Sequence, residues 1–219
     1  MDVAFNFEKK RIILTINSVV VAGWTGRNMT AVQHHIDELT ALGIAPPSQV
    51  PLYYRVANTL LTQGPTIEVL GDSSSGEVEP LLIQSSGKIF FGLASDHTDR
   101  DLEAHSVAAS KQACAKPIAQ EVWDFDEIKE HLEDITLRCW IEENGREILY
   151  QEGTLSSIRP LAELCEGASF ADGTAMLCGT FAAIGGVRPA GRYRMEVSDP
   201  INGKTIALSY GVTTLPIIS

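Results

Sequence analysis

The chain has 219 residues, 44% of them hydrophobic and 21% charged, enough to bury a sizeable core in one large domain or two small ones. Its 17 basic residues against 28 acidic ones leave a formal charge of −11, which repels a phosphate backbone and argues against nucleic acid as a partner. No apolar run approaches the length needed to cross a bilayer, and in the opening "MDVAFNFEKKRIILTINSVVVAG" acids and two lysines precede the β-branched run, unlike a secretory signal, so a cytoplasmic protein with no membrane partner is expected.

In chain order, the run from Arg11 to Ala22 reads as a strand. Val32, Ile36 and Leu39 then recur at helical spacing, and Gly43 followed by Pro46 and Pro47 supplies a stop, predicting a helix from Thr30 to Leu42. From "VPLYYRV" to "KIFFGLAS" the pattern turns to short β-rich runs broken by Gly, Ser and Pro. "VWDFDEIKEHLEDI" reads as a short acidic turn or helix. "ITLRCWIEENGREILYQEG" is a hairpin hinged on Asn144-Gly145, the pair that favours a type I′ turn. "IRPLAELCEG" is a second helix, "TAMLCGT" a buried strand, and "RYRMEVSDPINGKTIALSYGV" a hairpin around Asn202-Gly203. Strands dominate and few helices intervene, so the fold class is α+β with a rolled, barrel-like, mostly antiparallel core. Cys114, Cys139, Cys165 and Cys178 show no metal-ligand or redox spacing and read as buried free thiols.

The chemistry concentrates in "SGEVEPLLIQSSGKIFFGLASDHTDRDLEAHS". On a strand, Glu77 and Glu79 project from one face, because side chains alternate with a period of two. Asp96 ends "KIFFGLASD", where the next strand leaves the sheet. Three hard oxygen donors without Cys or His favour Mg²⁺ or Mn²⁺ over zinc. A solvent-facing Glu-x-Glu on an edge strand is the competing reading of the same spacing. His35 and Glu38, three apart, are neighbours on one helical face, where a carboxylate on imidazole raises its basicity; an incidental half-buried histidine is the alternative, and His34 the second choice of base. Lys111, taken alone, sits in the setting of an ordinary surface lysine.

These segments together resemble the fumarylacetoacetate hydrolase superfamily, whose metal-binding stretch runs Glu-x-Glu, an apolar strand, then Asp-x-[Ser/Thr]-x-Arg-Asp. Glu77, Glu79 and Asp96 fall on the metal-ligand positions, and Thr98, Arg100 and Asp101 match the remainder. "GRNMTAVQHHIDE" is similar to the family's Gly-Arg-Asn and helical His-x-x-Glu, with an insertion of about three residues. "ASKQACAKP" resembles the segment of the active-site lysine, and "YQEG" with "LCGT" the C-terminal pattern ending in Gly-Thr-Pro.

The resemblance implies one domain over residues 1–219, with the N-terminal strand and dyad helix in 1–60 and the metal-binding β core in 61–219. It implies a homodimer holding Mg²⁺ or Mn²⁺ through Glu77, Glu79 and Asp96, with His35, Glu38 and Lys111 catalytic and Arg27, Glu103 and Thr180 toward the substrate. The implied activity is hydrolysis of a C–C bond in a small 2-oxo or 1,3-dicarbonyl acid. Decarboxylation or isomerisation on the same site, and a catalytically silent binding or assembly protein, are the alternatives. Departures from the pattern are Glu103 where Gln is frequent, Arg55 where Lys is common, Asp99 where a small residue is common, and Phe181 in place of Pro.

Overall fold

In the computed structural model, which describes residues 1–41 and 46–218 apart from the side chains of residues 35, 38 and 39, a hairpin opens the chain. Its strands are β1 (Asp2–Phe7) and β2 (Lys10–Thr15), and Phe7 faces Lys10 across a two-residue loop. Glu8 and Lys9 both have positive φ, the geometry of a type I′ turn without its usual Asn-Gly signature, so local composition did not announce it. The single strand expected over Arg11 to Ala22 is in fact two, β2 and β3 (Ser18–Gly23). Between them the backbone N–H groups of Asn17 and Ser18 both donate to the carbonyl of Gly173, which turns the chain out of one sheet and into another.

Helix α1 (Met29–Ala41) starts where Asn28 accepts hydrogen bonds from the N–H groups of Thr30 and Ala31, both at 3.1 Å. The expected last residue of this helix, Leu42, lies outside the described residues. There follow β4 (Leu52–Val56), β5 (Leu61–Thr62), β6 (Thr66–Leu70), β7 (Ser74–Ser75), β8 (Val78–Ser85), β9 (Lys88–Ser95) and β10 (Thr98–Asp99). Two short helices, α2 (Arg100–Glu103) and α3 (Val107–Ala113), lead to β11 (Lys116–Pro117) and β12 (Trp123–Asp124). The acidic stretch beyond forms 3₁₀ turns at Phe125–Glu127 and Lys129–Asp134. The rest comprises β13 (Thr136–Glu143), β14 (Arg146–Thr154), α4 (Leu161–Gly167), β15 (Thr174–Leu177), β16 (Arg192–Asp199) and β17 (Lys204–Leu215).

The turn between β13 and β14 has positive φ at both Asn144 and Gly145, as its sequence requires. The loop between β16 and β17 is longer: Asp199 pairs with Lys204, and its carboxylate accepts from the N–H groups of Ile201 and Asn202.

Two larger, mostly antiparallel sheets result, of order β12-β9-β8-β15-β3-β4 and β14-β13-β16-β17-β6, in which β15 pairs with β3 and β17 with β6 in parallel; β1-β2, β10-β7 and the parallel β11-β5 are two-stranded pairs beside them. The α+β class with a rolled β core stands; the sheets pack face to face rather than closing into a barrel. Between them lie Val20, Leu82, Phe91, Leu93 and Met176 of the six-stranded sheet and Leu137, Met195, Val197 and Ile206 of the five-stranded one. The opposite face of the six-stranded sheet presents Val19, Val21, Leu81, Ile83 and Leu177 to Phe5, Leu14 and Ile16 of the N-terminal segment. With both faces covered, β8 is buried from Val78 to Ile83 and carries the apolar run Pro80 to Ile83 at its centre. β3 and β4, from the first 60 residues, belong to this same sheet. Cys114, Cys139 and Cys178 are buried free thiols, whereas Cys165 is only half-buried. No helix among the described residues is long and apolar enough to cross a membrane.

Candidate metal centre

The acids gather where β8 and β9 end. Glu77 immediately precedes β8 and Asp96 immediately follows β9; the Asp96 N–H donates to the Glu77 carbonyl at 3.0 Å, continuing the ladder by one rung. Glu79 shares the β8 face of Leu81 and Ile83. One carboxylate oxygen from each of Glu77, Glu79 and Asp96 lies within 4.8 Å of the others. Glu79 and Asp96 are buried and Glu77 half-buried, so the pair is not the exposed edge-strand motif that spacing alone allowed.

Cationic groups ring these acids. Lys111, on α3, is buried and its Nζ donates to Asp96 Oδ2. Lys116, on β11, is wholly buried; its Nζ donates to the carbonyl of His97 at 2.5 Å and lies 3.1 Å from Asp96 Oδ1. Arg100, at the start of α2, lies 3.2 Å from Glu77 Oε1 and donates to Glu103 Oε2 at 2.8 Å and to Ser75 Oγ at 2.7 Å. Glu103, expected toward the substrate, is thus paired with Arg100, and its charge is matched locally.

Burial pushes the Asp96 carboxyl upward, but Lys111 and Lys116 outweigh it and hold the group below the ordinary carboxylate value. Glu79 goes the other way: burial, reinforced by Asp96, raises its carboxyl well above the usual value despite Lys111 and the N–H of Gly179, which donates to Oε2 at 2.8 Å. A divalent cation would relieve that crowding. Among the described residues Asp96 Oδ1 is also a buried oxygen that accepts no hydrogen bond, since Lys116 approaches it outside hydrogen-bond geometry. A lone pair that accepts no hydrogen bond and three hard oxygen donors fit a divalent cation.

Neighbouring elements hold this geometry. Gly179 has φ +102°, and a Cβ there would stand 1.7 Å from Thr25 Oγ1, so only glycine lets the segment ahead of α1 approach the chain that holds Glu79. Gln151 is fully buried on β14 beside an irregularity, where Cys139 faces Gln151 but Trp140 faces Leu149. Its Oε1 accepts from the N–H of Val78 at 3.0 Å, and its Nε2 donates to Thr180 Oγ1 at 2.9 Å and to the Phe181 carbonyl at 2.7 Å. His97 is buried between Ser74 Oγ at 2.9 Å and Tyr210 Oη at 3.0 Å. Burial, with Lys116 and Arg100, lowers its imidazole to about 3, so it is neutral.

The remaining expected residues lie differently. Thr180 spends its hydroxyl proton on the carbonyl of Val78 at 2.8 Å and is a clamp on β8 as it stands. Arg27 is exposed and donates to the Ile158 carbonyl at 3.0 Å and to Glu133 at 2.5 Å. His35 and Glu38 are carried by α1, but their side chains lie outside the described residues. Arg55 donates to the Ala168 carbonyl at 3.0 Å, Asp99 caps α2 through the N–H of Leu102, and Phe181 packs on Gly153. Sequence reasoning missed Lys116, Gln151 and His97; all three stood inside the segments quoted, but no spacing rule assigns them a role.

Solved structures show the same architecture. The chain resembles 2-keto-3-deoxy-D-arabinonate dehydratase complexed with magnesium and 2,5-dioxopentanoate, at 17% identity and TM-score 0.66 over 94% of this chain and 77% of that one. It also resembles 5-carboxymethyl-2-hydroxymuconate delta-isomerase from Mycobacterium smegmatis, at 15% identity and TM-score 0.63 over 94% and 86%. A third is 4-oxalocrotonate decarboxylase from Pseudomonas putida G7, complexed with calcium and acetate, at 13% identity and TM-score 0.60 over 92% and 78%. The fold is that of the fumarylacetoacetate hydrolase superfamily. The family described as "Protein of unknown function (DUF2848)" matches residues 22–210, and the chain belongs to that family. No curated protein matches it by sequence.

Proposed function

We propose that this protein is a divalent-metal-dependent enzyme that takes a small 2-oxo or 1,3-dicarbonyl acid through an enolate. The observation that carries the reading is the cluster of Glu77, Glu79 and Asp96 with the ammonium of Lys111 on Asp96. When bound, Mg²⁺ or Mn²⁺ supplies a Lewis acid that polarises a chelated carbonyl. Glu77, Glu79 and Asp96 hold it. Lys111 keeps its proton, because Asp96, Glu77 and Glu79 outweigh the burial that would remove it. It thereby offers a fixed positive charge where oxyanion character develops. Hydrolytic C–C cleavage adds a base to this arrangement, the role given to His35 with Glu38, while Arg27 and Thr180 serve the substrate after rearrangement of their present hydrogen bonds. Decarboxylation or isomerisation needs no water base, and two of the named neighbours, an isomerase and a decarboxylase, support that branch. Homodimeric assembly belongs to the same reading.

Incubation of purified protein and Mg²⁺ with acylpyruvates, oxaloacetate and related oxo acids tests it. Metal-dependent release of two acids marks C–C hydrolysis, release of CO₂ marks decarboxylation, and solvent deuterium uptake without cleavage marks enolate formation. Absence of all three across the panel identifies a silent binding protein.

A further inference from the structure

Asp96 faces two buried ammonium groups, one on each oxygen. Lys111 donates to Oδ2, while Lys116 stands 3.1 Å from Oδ1, the oxygen left free for a cation. Lys116 is wholly buried and anchored on the His97 carbonyl at 2.5 Å, so it cannot swing into solvent when a cation arrives. Like charges a few ångströms apart in a dry site repel strongly. Together Lys111, Lys116 and Arg100 set three cationic groups against the four carboxylates Glu77, Glu79, Asp96 and Glu103, a cluster that carries one net negative charge when every group is ionised. A divalent cation alone turns that set to one net positive charge. A single substrate carboxylate then closes the balance and a second one oversteps it.

Resting on the metal-site reading above, we propose that Lys116 holds divalent-cation affinity low, so that the cation and a monoanionic oxo acid enter the site as a coupled pair. Lys116 is a positioning residue that acts through Asp96 and need not touch the substrate. Its effect has a sign that damage to the site cannot mimic: removing a repelling ammonium tightens cation binding, whereas a loosened carboxylate cluster weakens it.

The test is calorimetric titration with MgCl₂ of wild type, Lys116→Met and Lys116→Gln, each alone and with excess pyruvate or oxaloacetate, after thermal melts establish that the variants fold. Lys116→Gln removes the charge but retains a donor for the His97 carbonyl. In wild type, pyruvate should tighten Mg²⁺ binding about tenfold or more and oxaloacetate less. Either variant should bind Mg²⁺ alone about tenfold more tightly than wild type and show weaker coupling to pyruvate. Unchanged or weaker Mg²⁺ binding by folded variants, or wild-type affinity indifferent to pyruvate, overturns the proposal while leaving the metal reading intact. If no form binds a divalent cation, both readings fall. Should neither variant fold, the wild-type coupling decides alone.

Discussion

Gln151 accepts a hydrogen bond from the backbone N–H of Val78 across 3.0 Å, joining the five-stranded sheet to the residue that separates Glu77 from Glu79. With its amide nitrogen on Thr180 Oγ1 and the Phe181 carbonyl, one buried side chain sets the start of β8 against the loop whose Gly179 holds Glu79. Gln151→Leu preserves volume but orphans the Val78 N–H. We expect a loss of about 1–3 kcal/mol in urea-unfolding free energy, and weaker Mg²⁺ binding by calorimetry even where the variant is folded.

Removal of the acids should abolish the cation site outright. Glu77→Ala/Glu79→Ala leaves Asp96 to Lys111 and Lys116, and two ammonium groups on one carboxylate repel a cation. Titration of metal-free protein with Mg²⁺ and Mn²⁺ should give saturable heat for wild type and none for the double variant. Equal binding by both would refute the assignment.

For the base on α1, His35→Ala should remove most turnover of a C–C hydrolysis substrate, on the order of 10²-fold or more, while metal affinity remains near wild type. A decarboxylation substrate should suffer much less. Full activity in His35→Ala together with an inactive His34→Ala would transfer the role to His34.

Acid stability has a separate source at the β16–β17 loop. Burial raises the Asp199 carboxyl, but His131 and the loop donors Asn202 and Ile201 outweigh it and hold its folded value below the ordinary 3.8. A carboxyl depressed in the fold contributes stability that is present above its unfolded value and disappears as pH falls through the folded one. Asp199→Asn should therefore cost about 1–2 kcal/mol near neutrality through the lost loop hydrogen bonds, and the gap to wild type should narrow below about pH 4. Urea denaturation from pH 7 to pH 3 measures both.

Local pattern was sufficient for much of this molecule. Asn144-Gly145 dictates its own turn because both positions need positive φ, and the Val32/Ile36 spacing is a property of one helix. The period-two placement of Glu77 and Glu79, and the exit of Asp96 from β9, also follow from short stretches of chain, but spacing left an exposed edge-strand pair open, and the expectation that the three acids meet at one point came from the family resemblance. The Glu8-Lys9 turn escaped notice because its geometry is imposed by β1 pairing with β2 and not by turn-forming residues.

What remained depends on pairings between distant segments. Lys116 reaches Asp96 because β11 lies alongside β5, Lys116 beside Leu61, and Gln151 reaches Val78 only because two sheets stack over a shared core. A lysine before a proline and a glutamine in a β-strand carry no sequence signal of what they will touch. Amino-acid order sets which chemical groups exist and how neighbours along the chain are spaced. Burial removes water as the partner of each charge, and the tertiary structure alone decides that Asp96 meets two ammonium groups and that Glu103 meets Arg100.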